Sequence, residues 1–306
     1  MVNIKELKNN FYGTIALNEP LSKYTSFRIG GPADFYLEPS DKNDAVSLIS
    51  YLRKEQVSFI VLGNGSNVLI SDDGIRGAVV NLEHGLSNVS LTDDTIGAEA
   101  GVRMARFVEF CIRNDYQGVE MLAGIPGTIG GAVMMNAGAY GGEISMHLTE
   151  VEVLRGEKIE WVKKDAAGFS YRRSAFQRDV ILGARFRFPK GDKAELMRIR
   201  RELLIKRNQS QPLNMPNSGS VFKNPAGSYA AKLIEEAGLK GTRRGKAMIS
   251  EKHGNFIVNT GGASAADVLE LMRLARSTVK KKTGIGLEPE VKLMGFSENV
   301  LSEMIA

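Results

Sequence analysis

The chain has 306 residues, of which 43% are hydrophobic and 25% charged, the composition of an ordinary globular protein with room for two or three domains. The formal net charge of +5 is too small and too dispersed to favour nucleic acid, and it suits anionic small molecules better. No apolar run is long enough to cross a bilayer, and the N-terminus has no signal-peptide core. We therefore expect a cytoplasmic protein without membrane contact.

Cysteine and histidine offer little chemistry. The single cysteine, Cys111, lies in an apolar helical pattern typical of a buried structural thiol. The three histidines, His84, His147 and His253, do not have the spacing of metal ligands, so no metal site is expected.

The first part of the chain predicts a β-α-β arrangement. The residues up to Glu19 give mixed signals and predict only a short helix. A strand is predicted over 33–38, followed by a helix with Ser40 as its N-cap and a buried strand over 58–62. The glycine turn Gly63-Asn-Gly-Ser-Asn67 follows that strand directly.

This turn differs from a dinucleotide-binding fingerprint. Position 68 is Val rather than Gly, and residues 68–71 continue as a strand where the Rossmann fold requires a helix. The phosphate-binding pattern G-x-x-x-x-G-K-[ST] does not occur either. The turn is therefore predicted to hold an anion in another fold.

The central feature is a glycine-rich stretch, Gly124-Ile-Pro-Gly-Thr-Ile-Gly-Gly-Ala-Val-Met-Met-Asn-Ala-Gly-Ala-Tyr-Gly-Gly142. Glycine weakens helix and strand interiors, so its excess here indicates that the backbone must pass close to another group. A phosphate-bearing cofactor is favoured, because backbone N–H groups can converge on an anion where side chains do not obstruct them. A tight packing corner is the alternative.

The other predicted elements alternate along the chain. Strands are predicted over 77–81, 86–92, 149–155, 158–162, 180–188, 255–259 and 287–294. Helices are predicted over 102–114, 193–208, 228–237 and 264–282. Gly156-Glu157 closes a hairpin, Gly238 ends the third of these helices, and Ser264 with Asp267 forms a capping box at the fourth.

Three further stretches have reactive side chains in loops. Tyr171-Arg-Arg-Ser-Ala-Phe176 places two arginines before a strand, Asn217-Ser-Gly-Ser-Val-Phe-Lys-Asn-Pro225 forms a constrained polar turn, and Glu288 and Glu290 flank Pro289. An arginine in such a loop can hold a carboxylate with two hydrogen bonds. Taken singly, each stretch is more often a solvated or structural loop.

Taken together and in order, the motifs resemble those of the UDP-N-acetylenolpyruvoylglucosamine reductases, the MurB family of bacterial peptidoglycan synthesis. The resemblance runs from about Thr25 to about Gly295 and includes Ser-Phe-Arg-Ile-Gly-Gly-Pro, Gly-Asn-Gly-Ser-Asn, Gly-Ile-Pro-Gly-Thr-Ile-Gly-Gly-Ala, Asn-Ala-Gly-Ala-Tyr-Gly, Tyr-Arg-x-Ser-x-Phe, Gly-Ser-Val-Phe-Lys-Asn-Pro and Leu-Glu-Pro-Glu-Val. It implies an α+β protein with an FAD-binding fold of the vanillyl-alcohol oxidase or p-cresol methylhydroxylase type. The expected divisions are two FAD-binding subdomains, 1–83 and 84–190, and a substrate domain, 191–306.

The resemblance also implies the activity and the site. The expected reaction is reduction of UDP-N-acetylglucosamine enolpyruvate to UDP-N-acetylmuramate by a monomeric flavoprotein, with NADPH as hydride donor and FAD held noncovalently. The family's catalytic positions fall on Arg172, Ser220 and Glu290. The implied cofactor-binding residues are Arg28, Gly63, Asn64, Gly65, Ser66, Asn67, Gly124, Pro126, Gly127, Thr128, Ile129, Gly130, Gly131, Asn136 and Gly138. The expected substrate-binding residues are Tyr140, Tyr171, Lys223 and Asn224.

The family match leaves two alternatives and one departure. An oxidase of the same flavoprotein superfamily is the enzymatic alternative, although neither glycine-rich segment contains the histidine that links flavin in many such oxidases. A nucleotide-binding regulatory module is the non-enzymatic one, and it leaves Arg172, Ser220 and Glu290 without a purpose. Residues 188–211 contain no tyrosine, so the chain resembles the shorter type of the family, without a tyrosine loop that closes over the substrate. Tyr140 or the loop at Arg243 and Arg244 would assist instead.

Overall fold

The computed structural model describes residue 7 and residues 11–305. The strands are β1 (Thr14–Pro20), β2 (Pro32–Glu38), β3 (Phe59–Leu62), β4 (Val68–Ile70), β5 (Ile75–Asn81), β6 (Val89–Thr92), β7 (Thr95–Glu99), β8 (Gly138–Ala139), β9 (Gly142–Glu143), β10 (Leu148–Arg155), β11 (Lys158–Lys163), β12 (Val180–Phe186), β13 (Arg243–Arg244), β14 (Ala247–Ile249), β15 (Ile257–Asn259) and β16 (Lys292–Met294). The α-helices are α1 (Lys42–Lys54), α2 (Met104–Arg113), α3 (Ile129–Met134), α4 (Lys193–Ser210), α5 (Ala230–Glu236), α6 (Ala265–Thr283) and α7 (Glu298–Ile305). This is the α+β composition that the sequence predicts.

Contacts within the chain form two compact units. Unit 1 consists of Met1–Leu17, Phe35–Asn64 and Gly77–Lys206. Unit 2 consists of Asn18–Asp34, Gly65–Arg76 and Arg207–Ala306. The division predicted from the sequence, at residues 83 and 190, stays a prediction.

Unit 1 contains a five-stranded antiparallel sheet with the order β11-β10-β12-β7-β6. Helix α2 covers it with an apolar face, and the Phe107 ring lies 4.8 Å from the Phe186 ring of β12. Burying a side chain of this size stabilises the fold by roughly 1.5–3 kcal/mol. Cys111 on the same face is buried, and burial raises its thiol pKa, so the prediction of a structural cysteine is confirmed.

A second sheet has the strand order β1-β2-β5-β3, with β3 and β5 parallel. It contains β2 and β3, which α1 joins along the chain as the predicted β-α-β arrangement. After the turn at Gly63, the chain continues as β4. The prediction that a strand rather than a helix follows this turn is confirmed, and it excludes a Rossmann unit at this position.

Unit 2 is built around α6. The Ser264 hydroxyl accepts the N–H of Asp267 at 3.0 Å, and the Asp267 carboxylate accepts the N–H of Ser264 at 3.1 Å, which confirms the predicted capping box. The Asp72 carboxylate accepts two more N–H groups at the same helix end, from Ala265 at 2.8 Å and Ala266 at 3.1 Å. Such caps satisfy donors that the helix itself leaves unpaired. The unit also contains a three-stranded sheet, β13-β14-β15, and the parallel pair β16-β4.

Several element boundaries differ from the sequence predictions. Asp41, not Ser40, caps α1, because the Asp41 carboxylate accepts the N–H of Asp44 at 2.9 Å. The last strand is restricted to β16, since residues 287–291 are irregular apart from a bridge between Phe222 and Pro289. Strand β1 lies where the mixed opening residues predicted only a short helix. That helix was not assigned to particular residues, and residues 1–6 and 8–10 lie outside the described part of the chain.

Across residue 7 and residues 11–305, no helix combines the length and the apolar character needed to span a membrane. The same residues hold no cluster of three or more His, Cys, Asp or Glu side chains suited to a metal ion.

Candidate active site

The glycines at 63 and 65 are required by close approach. A Cβ atom on Gly63 would lie 2.5 Å from the Thr128 hydroxyl oxygen, and one on Gly65 would lie 2.0 Å from the Tyr24 carbonyl oxygen. Gly65 also has a φ of +58°, a backbone conformation that other residues rarely adopt. Glycine at both positions is therefore required by the packing of the protein's own atoms. Gly63 belongs to unit 1, and Gly65 belongs to unit 2.

The first part of the glycine-rich stretch, residues 124–131, is fixed by backbone contacts. Gly124 and Gly127 have φ values of +83° and +110°. Gly127 accepts a hydrogen bond from the N–H of Met104 at 3.0 Å, and Gly130 donates its N–H to the Ala100 carbonyl at 2.8 Å. Thr128, between them, is 3% exposed. The backbone of residues 124–131 is thus held in place by hydrogen bonds to neighbouring segments, and its glycines carry no side chain.

These glycines line a cleft in unit 1. The cleft opens to solvent, and its wall includes Gly63, Thr128, Gly130 and Gly131 together with apolar side chains. An open cleft with a largely apolar wall suits part of an organic cofactor. At Gly131 an added Cβ would meet only the Thr128 hydroxyl oxygen, at 3.8 Å, so this glycine leaves room beside the backbone for a group in the cleft.

Two acidic residues at this cleft are each neutralised by an arginine. Asp179 pairs with Arg155 at 2.8 Å, and Glu83 pairs with Arg103. Hydrogen bonding to Asp179 raises the pKa of Arg155, which is fully charged in any case. The cleft wall therefore carries little net negative charge that would repel a phosphate.

The second part of the stretch, residues 136–142, is held by side chains. Asn136 is 1% exposed, and its amide donates to the Glu143 carboxylate at 2.8 Å and to the Ser170 carbonyl at 3.1 Å. Tyr140 donates its hydroxyl to the Leu203 carbonyl at 3.1 Å. The side chains predicted at positions 136 and 140 to bind cofactor and substrate thus also have partners inside unit 1.

Arg172 occupies the tip of a tight turn. Ser170 and Arg173 exchange backbone hydrogen bonds of 3.0 and 3.1 Å, which leaves Tyr171 and Arg172 between them. Arg172 has a φ of +56°, it donates to the Gly138 carbonyl at 3.0 Å, and its guanidinium lies 4.9 Å from the centre of the Tyr171 ring. The Gly138 carbonyl is therefore a partner of the proposed catalytic arginine, although Gly138 was expected to bind cofactor.

Ser220 lies in unit 2 on a turn that its neighbours fix. The Asn217 carboxamide oxygen accepts the N–H of Gly219 at 2.9 Å, and Gly219 has a φ of +77°. Ser220 is half-buried, whereas Ser218 is 3% exposed. The Ser218 hydroxyl has no hydrogen-bond partner among the described residues. The family motif selected Ser220 and not Ser218 as the proton donor.

Glu290 lies beside the Ser220 turn and is joined to it by a backbone hydrogen bond. The N–H of Glu290 donates to the Val221 carbonyl at 2.8 Å, so the residue after Ser220 is bonded directly to the segment that contains Glu290. The Asn67 side chain donates to the Glu290 carbonyl at 3.2 Å, which brings part of the Gly63–Asn67 turn to the same place. Unit 2 thus brings Ser220, Glu290 and Asn67 together.

A set of charged side chains surrounds this segment. Lys223 forms an ion pair with Glu288, and its N–H donates to the Glu288 carbonyl at 2.9 Å. Lys292 is exposed, yet its pKa is lowered, mainly because nearby protein limits the hydration of its ammonium group. The like charge of Lys223 lowers this pKa further, and the negative charges of Glu288 and Glu290 partly raise it again. Lys292 was not among the residues predicted for the site, although its place two residues after Glu290 in an extended segment was a usable signal.

The remaining predicted residues have mixed surroundings. The Asn224 carboxamide accepts the N–H of Ala230 at the start of α5, so part of this expected substrate-binding side chain supports a helix. Arg28 is exposed with a φ of +55°, between the buried residues Phe27 and Ile29. Arg172 belongs to unit 1, and Ser220, Glu290 and Lys223 belong to unit 2.

The sequence of the chain matches known protein families and individual relatives. Residues 211–294 match the model of the C-terminal domain of UDP-N-acetylenolpyruvoylglucosamine reductase, and residues 33–158 match an FAD binding domain. The chain is 43% identical to the UDP-N-acetylenolpyruvoylglucosamine reductase of Chloroherpeton thalassium over 98% of this chain and 99% of that protein. The reductase of Caldanaerobacter subterraneus is 44% identical over 92% and 94%.

A solved structure agrees with the sequence comparison. The crystal structure of UDP-N-acetylenolpyruvylglucosamine reductase (MurB) from Thermus caldophilus superposes with a TM-score of 0.80 at 35% identity, covering 92% of this chain and 99% of that one. The likeness extends over nearly the whole of both chains.

Proposed function

Because the chain belongs to the UDP-N-acetylenolpyruvoylglucosamine reductase family, we propose that Arg172, Ser220 and Glu290 carry out its chemistry. The enzyme reduces UDP-N-acetylglucosamine enolpyruvate to UDP-N-acetylmuramate, a step of peptidoglycan synthesis, with FAD as cofactor and NADPH as reductant. This family membership favours the reductase over the oxidase and over the nucleotide-binding module that the sequence left open. When bound, FAD supplies the hydride that NADPH delivered to it and that the β-carbon of the enolpyruvyl group receives.

The cofactor-binding proposal rests on the cleft of unit 1. Gly63, Thr128, Gly130 and Gly131 line its wall, and the absence of a side chain at Gly131 leaves room beside the backbone there. These residues would hold FAD by close backbone approach. Neither glycine-rich segment contains a histidine, so the flavin should be released by acid precipitation, and yellow colour in the protein pellet would contradict noncovalent binding.

Arg172 is proposed to stabilise the charge that develops during reduction. After hydride addition to the β-carbon, negative charge spreads from the α-carbon into the substrate carboxylate, and a fixed guanidinium binds this state more strongly than the substrate. The observation that carries the proposal is the left-handed backbone of Arg172, with φ +56°. A non-glycine residue keeps such a conformation only where its surroundings impose it, and such strain is often found at functional sites.

Ser220 is proposed to donate the proton that completes the reaction at the α-carbon. A neutral hydroxyl donates only to a strongly basic carbon, which the charge-bearing substrate provides. Lys223, three residues further along the chain, adds positive charge that eases the transient alkoxide. Glu290 is proposed to assist as the carboxyl group whose segment is bonded to Val221, next to Ser220.

The test is anaerobic stopped-flow spectroscopy on Ser220→Ala. NADPH should bleach the flavin of this variant as in the wild type, while reoxidation by the enolpyruvyl substrate should slow by about 10²–10⁴-fold, the usual contribution of a proton donor. Ser218→Ala is the matched control, because it removes a buried hydroxyl that has no partner among the described residues and should leave both phases unchanged. Normal reoxidation in Ser220→Ala would remove Ser220 from this role. No reoxidation in the wild type would refute the reductase activity.

Two finer points are proposed with it. We place the enzyme in the cytoplasm, because NADPH and a UDP-sugar are highly charged and stay in the compartment where they are made. We propose a monomer, since one chain supplies every residue named above, and light scattering of the purified holoenzyme measures this directly.

A further inference from the structure

We propose that Asn136 and Glu143 are positioning residues for Arg172. The inference rests on the proposed role of Arg172, and it concerns unit 1 alone. It assigns to Asn136 a function other than the cofactor contact expected from the sequence.

The turn that contains Arg172 needs support from outside itself. Its two internal backbone bonds join Ser170 and Arg173. They do not remove the cost of the left-handed conformation of Arg172, which is on the order of 1–3 kcal/mol for a non-glycine residue. The conformation of the turn therefore depends on hydrogen bonds to residues outside it.

Three hydrogen bonds join the turn to the segment 134–138. The Ser174 hydroxyl donates to the Met134 carbonyl at 2.8 Å, and the Arg172 guanidinium donates to the Gly138 carbonyl at 3.0 Å. Between these two, the Asn136 amide donates to the Ser170 carbonyl at 3.1 Å. The segment thus contributes two backbone carbonyls and the side chain of Asn136 to the turn.

The Asn136 side chain is itself fixed in orientation. Its second amide hydrogen is donated to the Glu143 carboxylate at 2.8 Å, and its carbonyl oxygen accepts the N–H of Ser145 at 3.4 Å. A hydrogen bond to a carboxylate is stronger than one between neutral groups. Because Glu143 accepts only from the nitrogen, it prevents the carboxamide from flipping, which would turn an oxygen towards the Ser170 carbonyl.

The arrangement has a direct consequence for the reaction. Transition-state stabilisation by an arginine requires a fixed position, and a displacement of about 1 Å can cost on the order of 10²-fold in rate. Asn136 sets the position of the turn, and Glu143 sets the orientation of Asn136. Loss of either bond should therefore slow substrate-dependent flavin reoxidation without affecting flavin binding.

The first variant is Asn136→Asp. Aspartate tolerates the left-handed backbone of this position, φ +42°, but it cannot donate to Ser170 and it places a second carboxylate beside Glu143. We expect reoxidation by the substrate to slow by about 10–10²-fold, with the loss in kcat and little change in KM. FAD affinity and the rate of flavin reduction by NADPH should stay at wild-type values.

A double variant separates positioning from stability. In Asn136→Asp with Glu143→Gln, the new amide at position 143 can donate to the new carboxylate at position 136, so the buried bond between them is restored. The Ser170 carbonyl still lacks its donor. We therefore expect the thermal midpoint to return towards the wild type while reoxidation stays slow. Glu143→Gln alone keeps an acceptor and should have the smallest effect.

Two outcomes overturn the inference, and a third concerns the proposed function. If the double variant recovers reoxidation together with stability, Asn136 is merely structural. If Asn136→Asp loses FAD or slows reduction by NADPH while FAD-saturated protein reoxidises normally, Asn136 acts on the cofactor. Wild-type protein that is not reoxidised at all refutes the proposed function rather than this inference.

Discussion

The two parts of the glycine-rich stretch are built differently. Residues 124–131 take positive φ values at glycines and are held by backbone hydrogen bonds at the wall of a cleft. Residues 136–142 include two non-glycine residues with positive φ, Asn136 at +42° and Tyr140 at +52°, and both are held through their side chains. One part is held by its backbone groups, and the other is held by its side chains.

The difference shows that one motif can serve two purposes. Glycine is required where another group must approach the backbone, whereas asparagine tolerates the same backbone region and adds hydrogen-bonding groups. The first part thus faces the proposed cofactor, and the second part faces the turn of Arg172. The stretch joins the cleft proposed for FAD to the proposed catalytic arginine within a single unit.

The largest expected effect is on kcat, and it comes from removing the side chain of Arg172, which the Gly138 carbonyl of the second part binds. Arg172→Ala should lower kcat by about 10²–10³-fold, or roughly 3–4 kcal/mol of transition-state stabilisation. Arg172→Lys keeps the charge but not the planar pair of donors, so it should recover only a part. Steady-state kinetics with UDP-N-acetylglucosamine enolpyruvate measures both variants.

FAD titration is the control for the comparison. Both Arg172 variants should bind flavin like the wild type, because the residues that line the cleft are unchanged. Loss of flavin from Arg172→Ala would show that the two parts are not separate in function.

A smaller effect is expected from Gly127→Ala in the first part. At φ +110° an alanine is strained, which costs on the order of 1–3 kcal/mol in unfolding free energy. The shift in backbone that relieves this strain should also weaken FAD binding, because Gly127 precedes Thr128 at the cleft wall. Urea unfolding and flavin titration measure the two effects separately.

Gly141→Ala is the matched variant in the second part. Gly141 also has a positive φ, +84°, but an added Cβ would meet no atom within 4 Å. We expect a loss of unfolding free energy without a loss of FAD affinity. Equal losses of FAD affinity in both variants would contradict the division into two parts.

Much of the fold follows from local patterns in the sequence. The capping box of Ser264 and Asp267 and the strand after the Gly63 turn depend on residues a few positions apart, and both were predicted. Ser40 and Asp41 are adjacent and equally good caps. In the fold the Asp44 N–H donates to the Asp41 carboxylate, whereas the Ser40 hydroxyl donates to the Asp44 carboxylate. Strand β1 has no clear alternation and forms by pairing within its sheet.

The site was less accessible to sequence reasoning. The family match selected Asn136, but an asparagine beside glycines is as suitable for an internal hydrogen bond as for a cofactor. Its partners, Glu143 and Ser170, are 7 and 34 positions away, and only the folded chain brings them together. The unpartnered hydroxyl of Ser218 is likewise a property of the packing, because in the sequence it is one of two serines around Gly219.

The smallest expected effect is a pH dependence of the unfolding free energy, which arises from His147 just after the second part. The chain continues from Gly142 through a short helical turn, Ile144–Met146, to His147, whose ring lies 4.6 Å from that of Phe188. Burial is the main cause that lowers the pKa of His147 below its ordinary value of 6.5. Below that value the unfolded chain binds a proton that the folded protein resists, so the unfolding free energy falls as pH falls. The slope from this group is at most about 1.4 kcal/mol per pH unit.

Urea unfolding at several pH values between 7.5 and 5.5 measures this slope, and His147→Gln should reduce it. His253 in unit 2 has a pKa lowered by burial as well, so a slope of the same sign should remain in the variant. Because His147 anchors the residues that follow position 142, acid should increase hydrogen exchange at 136–147 before it does so at 124–131. Faster exchange at 124–131, or an unchanged slope in His147→Gln, would show that the second part does not depend on this histidine.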